Sequence, residues 1–488
     1  MKHRLIILML VLTCLGLSSC KKWLSVKPDD QIPQDELFNT PSGVMKALNG
    51  VYLSFAEDNS YARSLSCQTV DVLGQLYSID PMKGNGSRFM ARYAYTDPSV
   101  KSTFESIWQK GYFQISLLNN FIEQVTPRSA MFNKHNFNIN YEYAMGEAIA
   151  MRAMLHFDMF RIWGPMYDAS TANNISLPYY RHVNEKPNPL LPASVFLDSV
   201  MVDLDKALVF LEADSSFSSP EMFENYSRNM RMNYYAVRTL QARVELYRGD
   251  KEKAYKIASE LVGEGGALSA KVATTFPFVT QNMAENAQAP DRIFYTEQIF
   301  CINNSRRDKI FEDMYNYQLG DERYFAPQEQ FVNNLYLNNP KDFRMNSWRS
   351  NPGNGKDIEC RKFSPISDAQ NSKRTKIQSV IRLGELYLIA AETAPSEELR
   401  LQYLGQLRVA RGYQWGSITD EEKADWTRTI LDEYIRETYG EGQYFFALKR
   451  LKIAKVPDGY NPSTAISMGP SQYVVPMPDS EMKFRENQ

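Results

Sequence analysis

Residues 141–165, YEYAMGEAIAMRAMLHFDMFRIWGP, constrain the fold more than any other stretch of this chain. Ala144, Ala148, Met151, Leu155, Met159 and Ile162 recur at helical spacing, and Met145, Ile149, Ala153, Phe157, Phe160 and Trp163 do so again. A surface helix carries one apolar stripe, so a helix with two must be covered on two sides. Only thin polar ridges separate the stripes: Glu147, Asp158 and Arg161 in one, Arg152 and His156 in the other. At ~1.5 Å per residue the helix would run about 35 Å, a domain's width, before Gly164 and Pro165 stop it. Neighbouring helices must therefore stack around it. The expectation is a mainly α fold, a tetratricopeptide-like helix-pair array with long irregular insertions and little β structure.

Other segments can supply the cover. Thr40, Pro41, Ser42 and Gly43 open a helix whose Val44, Leu48, Val51, Tyr52 and Phe55 face inward. In 100–125, Phe104, Trp108, Tyr112, Ile115, Leu118 and Ile122 share one face with Asn119, whose buried amide needs partners and is expected to tie two helices together. Residues 192–211 and 230–247 read as the next pair, and Arg248, Gly249 and Asp250 as a tight turn into 254–262. Residues 379–393 and 398–411 form a last pair, 426–439 a further helix and 473–475 a short strand. Two regions lose the helical period. Residues 59–98 read as surface loops, and 267–376 is too long for a structureless loop, so it reads as a folded excursion of short helices and strands.

The N-terminus fixes the compartment. Lys2 and Arg4 precede an almost wholly apolar run over 5–17, then Ser18, Ser19 and Cys20. That is a secretory leader, too short to span a bilayer. Leu17, Ser18, Ser19 and Cys20 are similar to a bacterial lipobox, which makes Cys20 the lipidation site. The expected organisation is a signal peptide over 1–19, a lipidated tether over 20–35 and a single domain over 36–488. Removing Lys2 and Arg4 takes the formal charge from -2 to -2 - 2 = -4, which gives no bulk basicity for a nucleic-acid partner. Besides Cys14 and Cys20 only Cys67, Cys301 and Cys360 occur, so there is no disulfide framework and no CxxC zinc pair; one bridge or three buried thiols remain open.

Catalytic signatures are missing. His135, His156 and His182 share no metal spacing, and HExxH, GxSxG and the GxxxxGK[ST] phosphate loop are absent. A paired-carboxylate glycosidase is not excluded by sequence, since carboxylate separation is set by the fold. No catalytic residue, metal ligand or cofactor is assigned. Aromatic content points instead to binding: 29 Tyr, 26 Phe and 6 Trp, with many Tyr in polar surroundings. Flat rings with polar tips suit sugars, whose axial hydrogens meet the ring face. The ligand-binding candidates are Tyr77, Tyr93 and Tyr95 in the first irregular region and Tyr324 and Trp348 in the second, with Asp71 and Arg88 as polar partners.

Nine motifs in order carry a family resemblance: Cys20 with KKWLSVKP, FNTPSGVMKALNGVY (38–52), Trp108 with Tyr112 and Asn119, EAIAMRAMLHFDMFRIWGP (147–165), LQARVELYRGD (240–250), IRLGELYLIAAE (381–392), RVARG (408–412), YIRETYGEGQYFFALKR (434–450) and VPMPDSEM (475–482). The chain resembles the RagB/SusD-like outer-membrane lipoproteins of the Bacteroidetes. The resemblance implies four tetratricopeptide-like helix pairs carrying an irregular ligand-binding face. It also implies a lid over a SusC-like TonB-dependent transporter, to which oligosaccharides, or in some members peptides, are delivered without cleavage. Surface-exposed members often carry acidic residues after the lipidated Cys, whereas Lys21, Lys22 and Trp23 stand here.

Overall fold

Helix α3 (Tyr141–Trp163) is buried at every position from 143 to 163, as its two apolar stripes require. The computed structural model describes residues 34–83, 86–132, 140–183, 186–216, 219, 227–320, 323–337, 339–351, 356–366 and 374–486. Cys20, the leader and nearly all of the tether lie outside the described residues, as does His135. No described helix is long and apolar enough to cross a membrane.

Helices α2 (Pro98–Val125) and α4 (Ala193–Leu211) clasp α3, and α1 (Pro41–Phe55) and α5 (Tyr234–Arg248) complete its cover. The array continues outward. Helix α5 packs on α6 (Lys251–Val262), α6 on α7 (Leu383–Thr393), and α7 on α8 (Glu397–Val409) and α9 (Trp426–Thr438), with α10 (Tyr444–Arg450) against α9. Residues 263–382 intervene between α6 and α7, yet the two helices pack directly. The excursion thus leaves the array and returns to the adjacent seat.

Both ends of α3 are capped. Asn140 Oδ1 accepts the Tyr143 amide at 2.7 Å at the N-terminus. At the other end the buried Lys449 ammonium donates to the carbonyls of Arg161 and Gly164, each at 2.8 Å, where the helix leaves unpaired oxygens and negative dipole charge. The polar ridges are fully engaged. Arg152 grips Asp203 through Nε and Nη2 at 2.9 and 3.0 Å and donates to Asn119 Oδ1 at 2.9 Å. Asn119 Nδ2 in turn donates to the Tyr180 and His182 carbonyls, so this amide joins α2 to α3 as expected and also holds the loop after α3. His156 faces the Arg152 carbonyl with Nδ1 and accepts the Tyr180 amide at Nε2, which requires a neutral ring. Burial agrees, pushing its pKa down to about 3.

Strands are few and short. Antiparallel ladders join β1 (Ile175–Pro178) to β2 (Leu190–Pro192), β3 (Gln298–Asn303) to β6 (Ile377–Arg382), β4 (Trp348–Ser350) to β5 (Ile358–Cys360) and β7 (Lys455–Pro457) to β8 (Ala465–Ser467). Three sequence expectations need correction. Residues 379–382 are strand and not helix, because the β-branched Ile377, Val380 and Ile381 pair across to β3 before α7 begins. Residues 473–475 form no strand: Tyr473 ends a short helix, and the Val475 amide bonds the Ile162 carbonyl at the end of α3. Residues 59–98 contain the short helices Thr69–Leu73 and Gly86–Ala91 and are largely interior. Cys67, Cys301 and Cys360 are free and buried.

What fastens the excursion to the array is ionic. Arg344 pairs with Asp342, Glu433 and Glu437; Arg411 with Glu297 and Glu437; Arg382 with Glu297, Glu437 and Glu441; Arg408 with Glu422 and Glu433; Lys362 with Glu441; Arg436 with Glu433. Six cations thus meet six carboxylates in one lattice. Burial pushes the carboxyls up, but the guanidinium groups outweigh it: Arg344, Arg436 and Arg408 hold Glu433 well below the usual range, and Arg411, Arg344 and Arg382 do the same for Glu437.

Carboxyls depressed in the folded state stabilise it at neutral pH and lose that contribution as pH falls from the unfolded value, about 4.5, through the folded one. The melting temperature should therefore be flat from about pH 6 to 8 and drop below about pH 4.5. Arg344→Ala should cost about 3–5 kcal/mol in urea unfolding at pH 7, since it strands the buried Asp342 and removes one of the cations on each of Glu433 and Glu437. A variant within about 1 kcal/mol of the wild type would show the lattice to be incidental.

Candidate functional site

Helix α9 turns one face away from the array. Arg428, Asp432 and Arg436 stand four residues apart and therefore line up along it. The excursion meets this face with the helix Glu329–Leu335, and the β7–β8 hairpin closes the third side. Between them lies an open cleft of about 410 Å³, walled by Gln330, Phe331, Asn334, Arg428, Asp432 and Asn461. Its walls are held: Arg428 Nε donates to Asp432 Oδ1 at 2.7 Å, and Gln328 Nε2 donates to the Tyr460 carbonyl at 2.5 Å, tying the hairpin loop to the helix. Burial raises the Asp432 carboxyl above its ordinary pKa despite that guanidinium.

The amide heads of Gln330, Asn334 and Asn461 are exposed to this space, with the half-buried Phe331 ring beside them. Forked amides offer donor and acceptor together, matching adjacent hydroxyls, and a ring face suits the apolar side of a sugar. Asp432 is the sole carboxylate on the lining, whereas glycoside hydrolysis ordinarily needs two across the scissile bond. Among the described residues no group of three His, Cys, Asp or Glu is placed to hold a metal ion.

The seven sequence candidates divide into three places. Asp71, Tyr77, Tyr324 and Trp348 converge on Tyr439, at the end of α9. Tyr77 meets the Tyr439 ring edge-on at 5.9 Å and Trp348 does so at 4.7 Å. Asp71 Oδ2 accepts the Gly440 amide at 2.9 Å, and its carboxyl is pushed well up by burial. Tyr324 lies close enough to Tyr439 for their hydroxyls to interact electrostatically, and burial raises its own pKa. Tyr93 and Tyr95 pack on each other elsewhere, and the half-buried Arg88 donates to the Met82 carbonyl.

The expectation of a loop-borne aromatic platform at 77–95 is thereby corrected. The Tyr77 hydroxyl donates to the Cys67 carbonyl, Tyr93 to Leu73 at 2.7 Å and Tyr95 to Gln472 at 2.6 Å, and all three rings are buried. A tyrosine whose tip is matched by a main-chain carbonyl is a core residue. Trp348 is the one candidate ring left half-exposed; its Nε1 donates to Tyr336 at 3.4 Å. The cleft amides escaped the sequence reading because no aromatic or motif marks them.

Family models match the chain over 22–244, described as "Starch-binding associating with outer membrane", and over 314–487, described as "SusD family". None of the curated proteins matches it in sequence. Solved structures share the fold. A SusD superfamily protein from Bacteroides thetaiotaomicron is 19% identical, with a TM-score of 0.70 over 92% of this chain and 98% of that one. A laminarin-binding SusD-like protein is 16% identical with a TM-score of 0.63 over 91% and 98%. Surface glycan-binding protein A from Bacteroides thetaiotaomicron is 17% identical with a TM-score of 0.63 over 92% and 98%.

Tyr95→Phe should lower stability by about 1–2 kcal/mol, by stranding the Gln472 carbonyl, and Tyr77→Phe by less, since Tyr315 also donates to the Cys67 carbonyl; both should leave affinity for any ligand unchanged. Chemical denaturation and calorimetric titration read the two effects separately. A large affinity loss with unaltered stability would return these rings to the binding face.

Proposed function

The chain belongs to the SusD/RagB-like family, and from that premise we propose that it binds oligosaccharide nutrients at the outer membrane and delivers them to a SusC-like TonB-dependent transporter. The observation that carries the binding half is the cleft beside α9, where three exposed amide heads, an Arg–Asp pair and the Phe331 ring converge on one open space. The names of two neighbours in fold, one laminarin-binding and one glycan-binding, support the same ligand class. With one carboxylate on its lining, the cleft binds without cleaving. In this reading Cys20 carries the lipid anchor, residues 1–19 are the removed leader, 20–35 the tether, and 36–488 one body facing outward from the cell. Of the sequence candidates, Trp348 keeps a ligand role; Asp71, Tyr77 and Tyr324 pack around Tyr439, Tyr93 and Tyr95 pack in another part of the interior, and Arg88 stands apart.

Calorimetric titration against a panel of oligosaccharides tests the binding half. Asn334→Ala and Arg428→Ala should each weaken the best ligand about fivefold to thirtyfold, at about 1–2 kcal/mol per lost polar contact. Tight binding of peptides with none of glycans would replace the sugar by a peptide on the same scaffold. Cys20→Ala should move the protein from the membrane fraction to the soluble one and end its co-purification with the transporter; a variant still sedimenting with membranes contradicts the anchor.

A further inference from the structure

Beside Trp348 the charge balance of the interior fails. A second, far narrower cleft of about 20 Å³ is lined by Arg292, Tyr336, Arg344, Trp348, Lys362, Arg436, Glu437 and Tyr439 among others, four cations against one carboxylate. Arg344, Lys362 and Arg436 are neutralised in the ionic lattice. Arg292 is not. It is only 7% exposed, its Nη1 donates to the neutral Ser364 hydroxyl at 2.9 Å, and its Nε has no partner. The charges facing it are those of Arg361, Arg307 and Arg349, and together with its burial they bring its pKa down to about 10. Arg307, 1% exposed, has Nε and Nη1 equally unpartnered. A buried guanidinium without a counter-charge is costly, whereas one that meets a carboxylate is among the strongest polar contacts available.

The two clefts are lined from neighbouring positions of two elements. Leu335 lines the open cleft and Tyr336 the narrow one; Asp432 of α9 lines the first and Arg436, one turn on, the second. We propose that the narrow cleft receives the carboxylate of an acidic sugar whose chain lies in the open cleft, which makes uronic-acid-containing oligosaccharides the ligand class. This rests on the glycan-binding reading above and adds that the Arg292 guanidinium selects charge. The space fits an anionic group and not a whole ring, so a terminal or branching uronate enters by its carboxylate, with the Trp348 ring at the rim.

The full chain is titrated with an oligogalacturonate and with the same oligosaccharide after carboxyl reduction, alongside Arg292→Met. The wild type should bind the acidic form about ten- to a hundredfold more tightly, the range of one charge-assisted contact, and keep most of that preference at high salt because the pair is buried. Arg292→Met should bind both forms alike, at the wild type's affinity for the reduced one, and should melt no lower than the wild type because it removes an unneutralised buried charge. Equal binding of both forms by the wild type, or discrimination that persists in Arg292→Met, overturns the proposal and leaves the glycan reading standing. Failure of every oligosaccharide to bind sinks the broader reading, and capture of an acidic peptide in their place overturns the sugar assignment. Should the variant melt lower, Arg292 is structural; the wild type's preference for the acidic form over the carboxyl-reduced one then decides the matter unaided.

Discussion

The lattice of buried Arg–carboxylate pairs is the constraint on which the binding face depends. Stacked helices bury their own apolar stripes, but nothing in that stacking says where residues 263–382 should sit. Apolar contact is non-directional and tolerates sliding. A guanidinium fork is directional, and leaving one partner unpaired inside the protein is strongly destabilising, so each pair rejects neighbouring registers. Arg344 of the excursion reaches Glu433 and Glu437 of α9, and Glu297 before β3 reaches Arg411 after α8. Gly412 reinforces the fit: its φ of +95° and the nearness of the Lys341 carbonyl leave no room for a side chain. The short helix that walls the open cleft is placed by these contacts.

Glu433 and Glu437 also explain why one helix can serve two purposes. Four-residue spacing gives α9 a face of Glu433 and Glu437 inside the lattice and another of Arg428, Asp432 and Arg436 that runs along both clefts. Arg436 belongs to both through its pair with Glu433. The proposed ligand face is therefore held where it meets α9, while exposed amides project into it from the excursion and the β7–β8 loop.

Much of the scaffold was legible because its signals are local. The double stripe of α3, the proline opening of α1, the Asn119 tie and the glycine turn at Gly249 each depend on residues within a few positions. The binding face was legible only in outline. Tyr77 and Tyr95 look like loop aromatics in sequence because the groups that bury them arrive from Tyr315, Phe325, Tyr439 and Gln472, hundreds of residues away. The strand at 377–382 reads as the start of α7 because its partner lies near residue 300. The cleft amides come from three separate segments, and a lone Asn or Gln on an exposed helix face carries no distinguishing pattern.

Sequence identities of 16–19% to structures of the same fold show how little of the chain the scaffold fixes, and in the proposed reading ligand choice is written in the clefts beside α9. Hydrogen–deuterium exchange with and without a bound oligosaccharide tests this most directly. Protection on binding should rise over the helix Glu329–Leu335, the N-terminal half of α9 and the loop joining β7 to β8, with no change over 69–95. Protection centred on 69–95, or on the outer faces of the array, would contradict it.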